Sequence, residues 1–272
     1  MKNKLLSAPY TIWMTIFVIV PMILVAYFAF TNSDGEFTLD NISKVGQYSN
    51  VFLRSIGLGA VATFISLILG YPLAKIIAGM KVKRQAVMIM LVMLPMWMNF
   101  LLRTYAWMSI LEDNGFLNNF LVSIGLPQIH IINTSAAVVL GMVYNYIPYM
   151  ILPIYSVLTK MDRGVIEAAQ DLGANERNVF LKVTLPMSMP GVISGITMVF
   201  VPSVSTFIIS KMLGGGSYLL IGDLIDMQFL GSAYNPNLGS AISLVLMVII
   251  LICMGIMNQF DDGEDVNGGV MI

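Results

Sequence analysis

DRGVIEAAQDLGANERNVFLKVTLPMSMPG, residues 162–191, stands between two apolar runs, and its reading decides the architecture. Asp162 is suited to cap a short helix, because its carboxylate can accept from the free N–H groups of a first turn. Gly173 is suited to end that helix, since a left-handed terminal residue carries no steric penalty when it is glycine. Asn175 can cap a second helix, which must stop before Pro186 because proline disfavours helical geometry in the residue ahead of it. Val165, Ala169 and Leu172 fall on one face of the first helix, and Val179, Phe180 and Val183 on one face of the second. With Ala168 and Ala169 as a small-residue waist and Glu167 as an available charge, the segment predicts a compact two-helix knob. Two uses stay open on these residues alone: a knob that docks into another protein, or an amphipathic pair lying flat on a membrane surface.

The flanks of the knob are suited to lipid. Of the 272 residues, 57% are hydrophobic and 11% charged, against about a quarter charged in a typical soluble domain. Mean hydropathy is +0.83. A helix needs about 20 apolar residues to cross the hydrocarbon core. Runs of that order lie at 9–30, 55–80, 86–110, 134–158, 191–210 and 238–257. The first follows Lys2 and Lys4, yet it is too long for the apolar region of a signal sequence and no clear small-x-small cleavage site follows it. It is read as a retained helix. Pro21, Pro72, Pro95, Pro148, Pro153 and Pro202 lie inside the runs and predict kinks whose freed carbonyls neighbouring helices satisfy. The 22 methionines are read as adaptable packing. The expected fold is an all-α membrane protein of six transmembrane helices. Its parts are an N-terminal tail, first helix and loop (1–54), a core (55–257) that carries the knob in a loop at about 159–190, and an acidic tail (258–272).

Basic residues in the loops set the expected orientation. Lys2, Lys4, Lys81, Lys83, Arg84, Lys160, Arg163, Arg177 and Lys182 fall on one side of such a bundle, and Lys44, Arg54 and Lys211 on the other, nine against three. Both termini and the knob are therefore expected in the cytoplasm. The acids Asp261, Asp262, Glu264 and Asp265 would lie there too, which is no contradiction because acids weigh little in this rule.

Glu167-Ala168-Ala169, then Gly173, then Leu185-Pro186 resembles the EAA loop of ABC importer permeases, at the spacing of that family. The resemblance continues through Leu69-Gly70-Tyr71-Pro72, Leu94-Pro95-Met96-Trp97, Leu102-Arg103-Thr104-Tyr105 and Gly115-Phe116-Leu117-Asn118. It extends through Pro148-Tyr149-Met150, Pro153-Ile154-Tyr155, Met212-Leu213-Gly214-Gly215 and Leu220-Ile221-Gly222-Asp223, all similar to the permeases of polyamine (spermidine/putrescine) importers. It implies the type I ABC importer (MetI-like) permease fold, in the plasma membrane of a prokaryote. It also implies that Glu167, Ala168, Ala169, Gly173, Leu185 and Pro186 couple the chain to a cytoplasmic ATPase. The implied partners are a second permease of the same fold, two ATPase subunits and an external polyamine-binding protein, with membrane lipid around them. The chain has no Walker A sequence: Gly214-Gly215-Gly216 is followed by Ser217, not by lysine. No catalytic residue and no cofactor are expected in this chain, with ATP and Mg on the partner subunits. The alternative is the same scaffold serving another small solute, such as sulfate, molybdate, iron or thiamine.

A flexible polycation should meet aromatic faces and carboxylates, since each cation–π contact contributes about 0.5–2 kcal/mol. Tyr105 and Trp107 sit where an interfacial aromatic belt is expected. Trp97 and Tyr146 lie deeper and are the candidates to line a pathway, against a competing reading as packing. Asp223 and Asp226, three residues apart in an apolar stretch too short to cross, would share one face of a helix and are candidate acids for admitting a cation. Arg103 runs against a polycation path; it is expected to reach the interface, with a structural or gating role in which an acid pairs with it.

Other function classes find little support. A net charge of −1 gives no basic surface for nucleic acid. One cysteine, Cys253, and one histidine, His130, exclude an internal disulfide and multi-cysteine or multi-histidine metal centres. A membrane hydrolase would need paired acids, a nucleophile with its base, or metal ligands at membrane depth. A secondary transporter usually carries an intramembrane carboxylate or a clear internal repeat; neither is evident in the sequence.

Overall fold

The computed structural model describes residues 9–216, 218–231 and 233–265. Lys2, Lys4 and the end of the acidic tail (266–272) lie outside the described residues. The described chain is helical: α1 Pro9–Ala29, α2 Asp40–Val45, α3 Ser49–Ala78, α4 Val82–Trp97, α5 Phe100–Leu111, α6 Phe116–Ser123 and α7 Ser135–Lys160. It continues with α8 Arg163–Asp171, α9 Glu176–Met187, α10 Met189–Ser205, α11 Ile208–Leu213, α12 Ile221–Phe229 and α13 Pro236–Asp265. Four helices are long and apolar enough to cross a membrane singly: Pro9–Ala29, Asp40–Ala78, Ser135–Lys160 and Pro236–Met257. The count reaches six when the bent pairs α4 with α5–α6 (88°) and α9 with α10 (63°) each form one span.

Two expected spans are therefore not single straight helices. The run at 86–110 breaks at Met98 and Asn99, which are extended. Pro95, inside the last turn of α4, withholds an N–H from the Leu91 carbonyl, and Asn99 starts α5 as its cap. The Asn99 Oδ1 accepts from the Leu101 N–H at 2.9 Å and the Leu102 N–H at 3.3 Å. The run at 191–210 stops at Ser205; Thr206 is extended and α11 begins a new direction. At the other extreme, the sixth span does not end at 257 but continues helically to Asp265.

The bundle is built on α3, α7 and α10, which pack on one another. The packing is close because small residues line the contacts, as is usual where lipid removes the hydrophobic drive between helices. In α3, Gly59, Ala62, Ser66, Gly70 and Ala74 are buried along one stripe. A Cβ on Gly59 would lie 2.8 Å from Val204 Cγ2, and one on Gly191 would lie 2.9 Å from the Pro153 carbonyl oxygen. Beside this trio, Ala29 of α1, Ile221 and Leu224 of α12 and Ala241 and Ile242 of α13 form a second cluster. The α1 helix packs on α13 over its C-terminal half; Ala29 is its only buried residue, with Val25 and Ala26 partly buried. The join is fixed by Asn237, whose Nδ2 donates to the Thr31 carbonyl at 2.7 Å and the Phe28 carbonyl at 3.2 Å.

Candidate functional site

The knob is α8 and α9, held at the end of the bundle where α3 and α7 finish and α4 and α10 begin. Asp162 Oδ1 accepts from the Gly164 N–H at 2.8 Å, and Asn175 Oδ1 from the Asn178 N–H at 2.9 Å, so both helices start at the expected caps. The first ends in a Schellman turn, with Ala174 N–H donating to the Ala169 carbonyl (3.1 Å) and Gly173 N–H to that of Gln170 (2.8 Å). That turn requires the positive φ of Gly173, +83°. It turns an apolar face outward: Leu172 is 90% exposed, Val165 42% exposed, and Ala168 is exposed between them. Ala169 is partly buried instead, so the outward row is Val165, Ala168 and Leu172.

Glu167 takes a different direction from that row. It lines a cavity of about 760 Å³ between the knob and the bundle, together with Gln170, Glu176, Lys75, Gln85 and Phe180. Lys75 Nζ stands 4.3 Å from the centroid of the Phe180 ring, which meets Tyr71 edge-on at 5.7 Å. Gln85 ties this end together: its Nε2 donates to the Ala78 and Met80 carbonyls at 2.9 Å each, and Tyr155 Oη donates to its Oε1 at 3.2 Å. Leu185 and Pro186 lie in the last turns of α9, after a π-type turn at Phe180–Thr184. Proline supplies no N–H to close the regular ladder there. The joint to α10 follows at Ser188, whose Oγ donates to the Leu185 carbonyl (2.9 Å) and accepts from Tyr71 Oη (2.8 Å). Lys75, Gln85, Asn99 and the Tyr71–Ser188 pair were not singled out by the sequence; only the position of Asn99, four residues after Pro95, carried a signal.

The pathway candidates are dispersed. Trp97 is 70% exposed at the elbow between α4 and α5. Tyr146 is half-buried in α7, with its ring 6.5 Å from that of Tyr149 and its phenol against Thr206 and within electrostatic reach of Arg103. Asp223 and Asp226 share α12 but not a common environment. Asp223 is 8% exposed; its Oδ2 accepts from the Leu220 N–H at 2.9 Å, and Ser210 also hydrogen-bonds its side chain. Burial pushes its carboxyl above the ordinary carboxylate range, against the lowering pull of these hydrogen bonds and of Lys211. Asp226 pairs instead with Lys211, Oδ2 to Nζ 3.2 Å.

Arg103 does not reach the interface. It is 7% exposed, its Nε and Nη1 are buried without a hydrogen-bond partner among the described residues, and its Cζ lies 5.9 Å from the Phe100 ring centroid. The cause is the elbow, which makes Arg103 the fourth residue of a new helix and turns it inward on the face it shares with Thr104 and Leu111.

The signature of the family described as "Binding-protein-dependent transport system inner membrane component" matches residues 1–263. The chain is 38% identical over 248 residues to the spermidine/putrescine transport system permease protein PotB of Haemophilus influenzae, covering 88% of this chain and 86% of that one. It is 35% identical over 248 residues to PotB of Escherichia coli, covering 88% and 90%. Among solved structures, it superposes on a chain of a bacterial alginate ABC transporter in complex with alginate pentasaccharide-bound periplasmic protein. That match has a TM-score of 0.76 at 21% identity and covers 99% of this chain and 97% of the other.

Proposed function

The chain belongs to the family of binding-protein-dependent transport system inner membrane components, and from that premise we propose that it forms one half of the membrane pathway of an ATP-driven importer of polyamines. It is an integral inner-membrane permease subunit; the knob, both termini and the partner ATPases stand on the cytoplasmic side. The other half of the pathway is a second permease of the same fold, and an external binding protein delivers the substrate. ATP and Mg act on the two ATPase subunits.

The observation that carries this reading is the outward face of α8. An apolar residue that is 90% exposed at the tip of a rigidly capped helix is what a docking helix presents to a cleft, as in helix-in-groove recognition. The Schellman turn fixes the angle of α9 to α8, and α9 runs into α10 through the Tyr71–Ser188 joint. A displacement of the knob is thereby passed to a helix of the central trio. The polyamine class is supported by the likeness to spermidine/putrescine permeases and by the Tyr146–Tyr149 pair, whose ring faces suit ammonium groups.

The test is uptake of labelled spermidine by vesicles that hold the whole complex, together with co-purification of the ATPase. Leu172→Asp and Gly173→Asp should leave the protein inserted in normal amount, with uptake lost and ATPase recovery or coupling lost. Normal uptake by both variants would overturn the coupling assignment; a wild-type complex that couples ATP hydrolysis yet takes up no spermidine or putrescine would overturn the substrate class.

A further inference from the structure

Two routes lead from the knob to the central trio, and they differ in stiffness. The covalent route runs along α9 into α10. It passes the π-type turn at Phe180–Thr184, then Pro186, then a 63° bend at Ser188. Each of these interrupts the regular helical ladder, so each can flex and absorb a displacement of the knob. The other route leaves α9 at Phe180, where the first interruption begins. Phe180 lines the cavity between knob and bundle. It also packs against the buried cluster that Tyr71, Ala74 and Ile77 of α3 share with residues of α7 and α10.

The Phe180 ring is gripped from two sides by one helix. Lys75 Nζ stands 4.3 Å from its centroid, and Tyr71 meets it at 5.7 Å in an edge-on arrangement. Tyr71 and Lys75 are four residues apart on α3 and so lie one above the other on a single face. Lys75 has carboxylates at hand, since Glu167 and Glu176 line the same cavity, yet it forms no ion pair among the described residues. Its ammonium stands over the ring instead, an attractive contact in its own right. Lys75 also belongs to the last turn of α3, where the helix dipole favours a cation.

We propose that Lys75, Tyr71 and Phe180 form a clamp through which the knob moves α3. A displacement of α9 is handed to the central trio at Phe180, ahead of the flexible joint to α10. The ammonium over the ring keeps α3 and α9 together while they move. Lys75 and Tyr71 are positioning residues in this role, acting on the pathway through Phe180 and α3. This rests on the docking of the knob to an ATPase described above.

The experiment uses the complete complex in vesicles, with spermidine as the probe. It reads spermidine moved per ATP hydrolysed, alongside recovery of the ATPase on co-purification. Lys75→Met should keep ATPase recovery and hydrolysis while the transport ratio falls several-fold. Lys75→Arg, whose guanidinium also stacks on aromatic faces, should restore most of that ratio. Phe180→Leu should match Lys75→Met, and the double variant should be no worse than Phe180→Leu alone, because both residues act through one contact. A second readout needs no substrate. Hydrogen exchange in the last turn of α3 should differ between the nucleotide-free and ATP-bound wild-type complex, and Lys75→Met should erase that difference. A wild-type ratio in an assembled Lys75→Met complex, losses that multiply in the double variant, or loss of ATPase recovery with Lys75→Met would overturn the clamp. Failure of the docking reading shows elsewhere, as normal uptake by Leu172→Asp and Gly173→Asp. A wild-type complex that moves no spermidine defeats the substrate class alone, because the exchange readout still tests the clamp.

Discussion

Gly173 holds φ at +83° with open space where a Cβ would stand, so its requirement is conformational. A β-branched residue in that region costs about 1–2 kcal/mol, enough to re-aim α9 without unfolding the bundle. Gly173→Val should therefore keep its membrane abundance and lose most spermidine-stimulated ATP hydrolysis, read by hydrolysis per complex recovered. Asp223 makes a different demand. A carboxyl whose folded pKa is raised supports the fold most fully below its ordinary value of about 4, and that support is lost as pH rises through the raised value. The thermal midpoint of the detergent-solubilised protein should fall across that window. In Asp223→Asn, which keeps an oxygen for the Leu220 N–H, the fall should flatten; an identical slope in both proteins would exclude Asp223 as its source. The requirement at Gly173 and the caps at Asp162 and Asn175 were legible in sequence because they depend on a few adjacent residues. The burial of Asp223 and Arg103 was not, because it depends on which neighbouring helices each short helix is laid against.

At the scale of elements, the elbow at Met98–Asn99 decides the most and was the least legible. Hydropathy averages over about 20 residues, and two extended residues inside an apolar run barely disturb that average. Pro95 marked a kink, but only the two hydrogen bonds accepted by Asn99 turn the kink into a new helix start. Asn99→Ala should lower stability by about 1 kcal/mol, the usual value of an N-cap. It should also loosen the Arg103 environment, seen as faster hydrogen exchange in the first turn of α5 with α7 unchanged. The contact of α7 with α10 has the opposite character, with no room for adjustment. At Gly191 the nearest neighbour of an added Cβ is the backbone oxygen of Pro153, which cannot step aside as a side chain would. Gly191→Val should destabilise by about 1–3 kcal/mol, in the range for overpacking. The loss should appear as a lower thermal midpoint and lower membrane abundance, whereas Gly57→Ala, where an added Cβ meets nothing within 4 Å, should lower neither.

At the scale of the whole molecule, composition and the six apolar runs were enough for the class and for the four single spans and two bent pairs that make up to six, because lipid imposes a minimum length that any spanning helix must meet. Orientation rests on the distribution of lysine and arginine. In a Cys253→Ala background, a cysteine at Ser33 should label with an impermeant reagent from outside intact cells and one at Lys160 only after the membrane is opened; the reverse pattern would invert the topology. The pairing of α1 with α13 was beyond the reach of local sequence, since Asn237 and Thr31 are 206 residues apart. That separation has a consequence for biosynthesis. Because α1 packs chiefly on α13, it must wait in the bilayer without that partner while the intervening chain is translated. Closure of this permease is therefore a late event, timed by the ribosome, and a nascent chain stalled before Asn237 leaves α1 open to the proteases that clear unassembled membrane proteins.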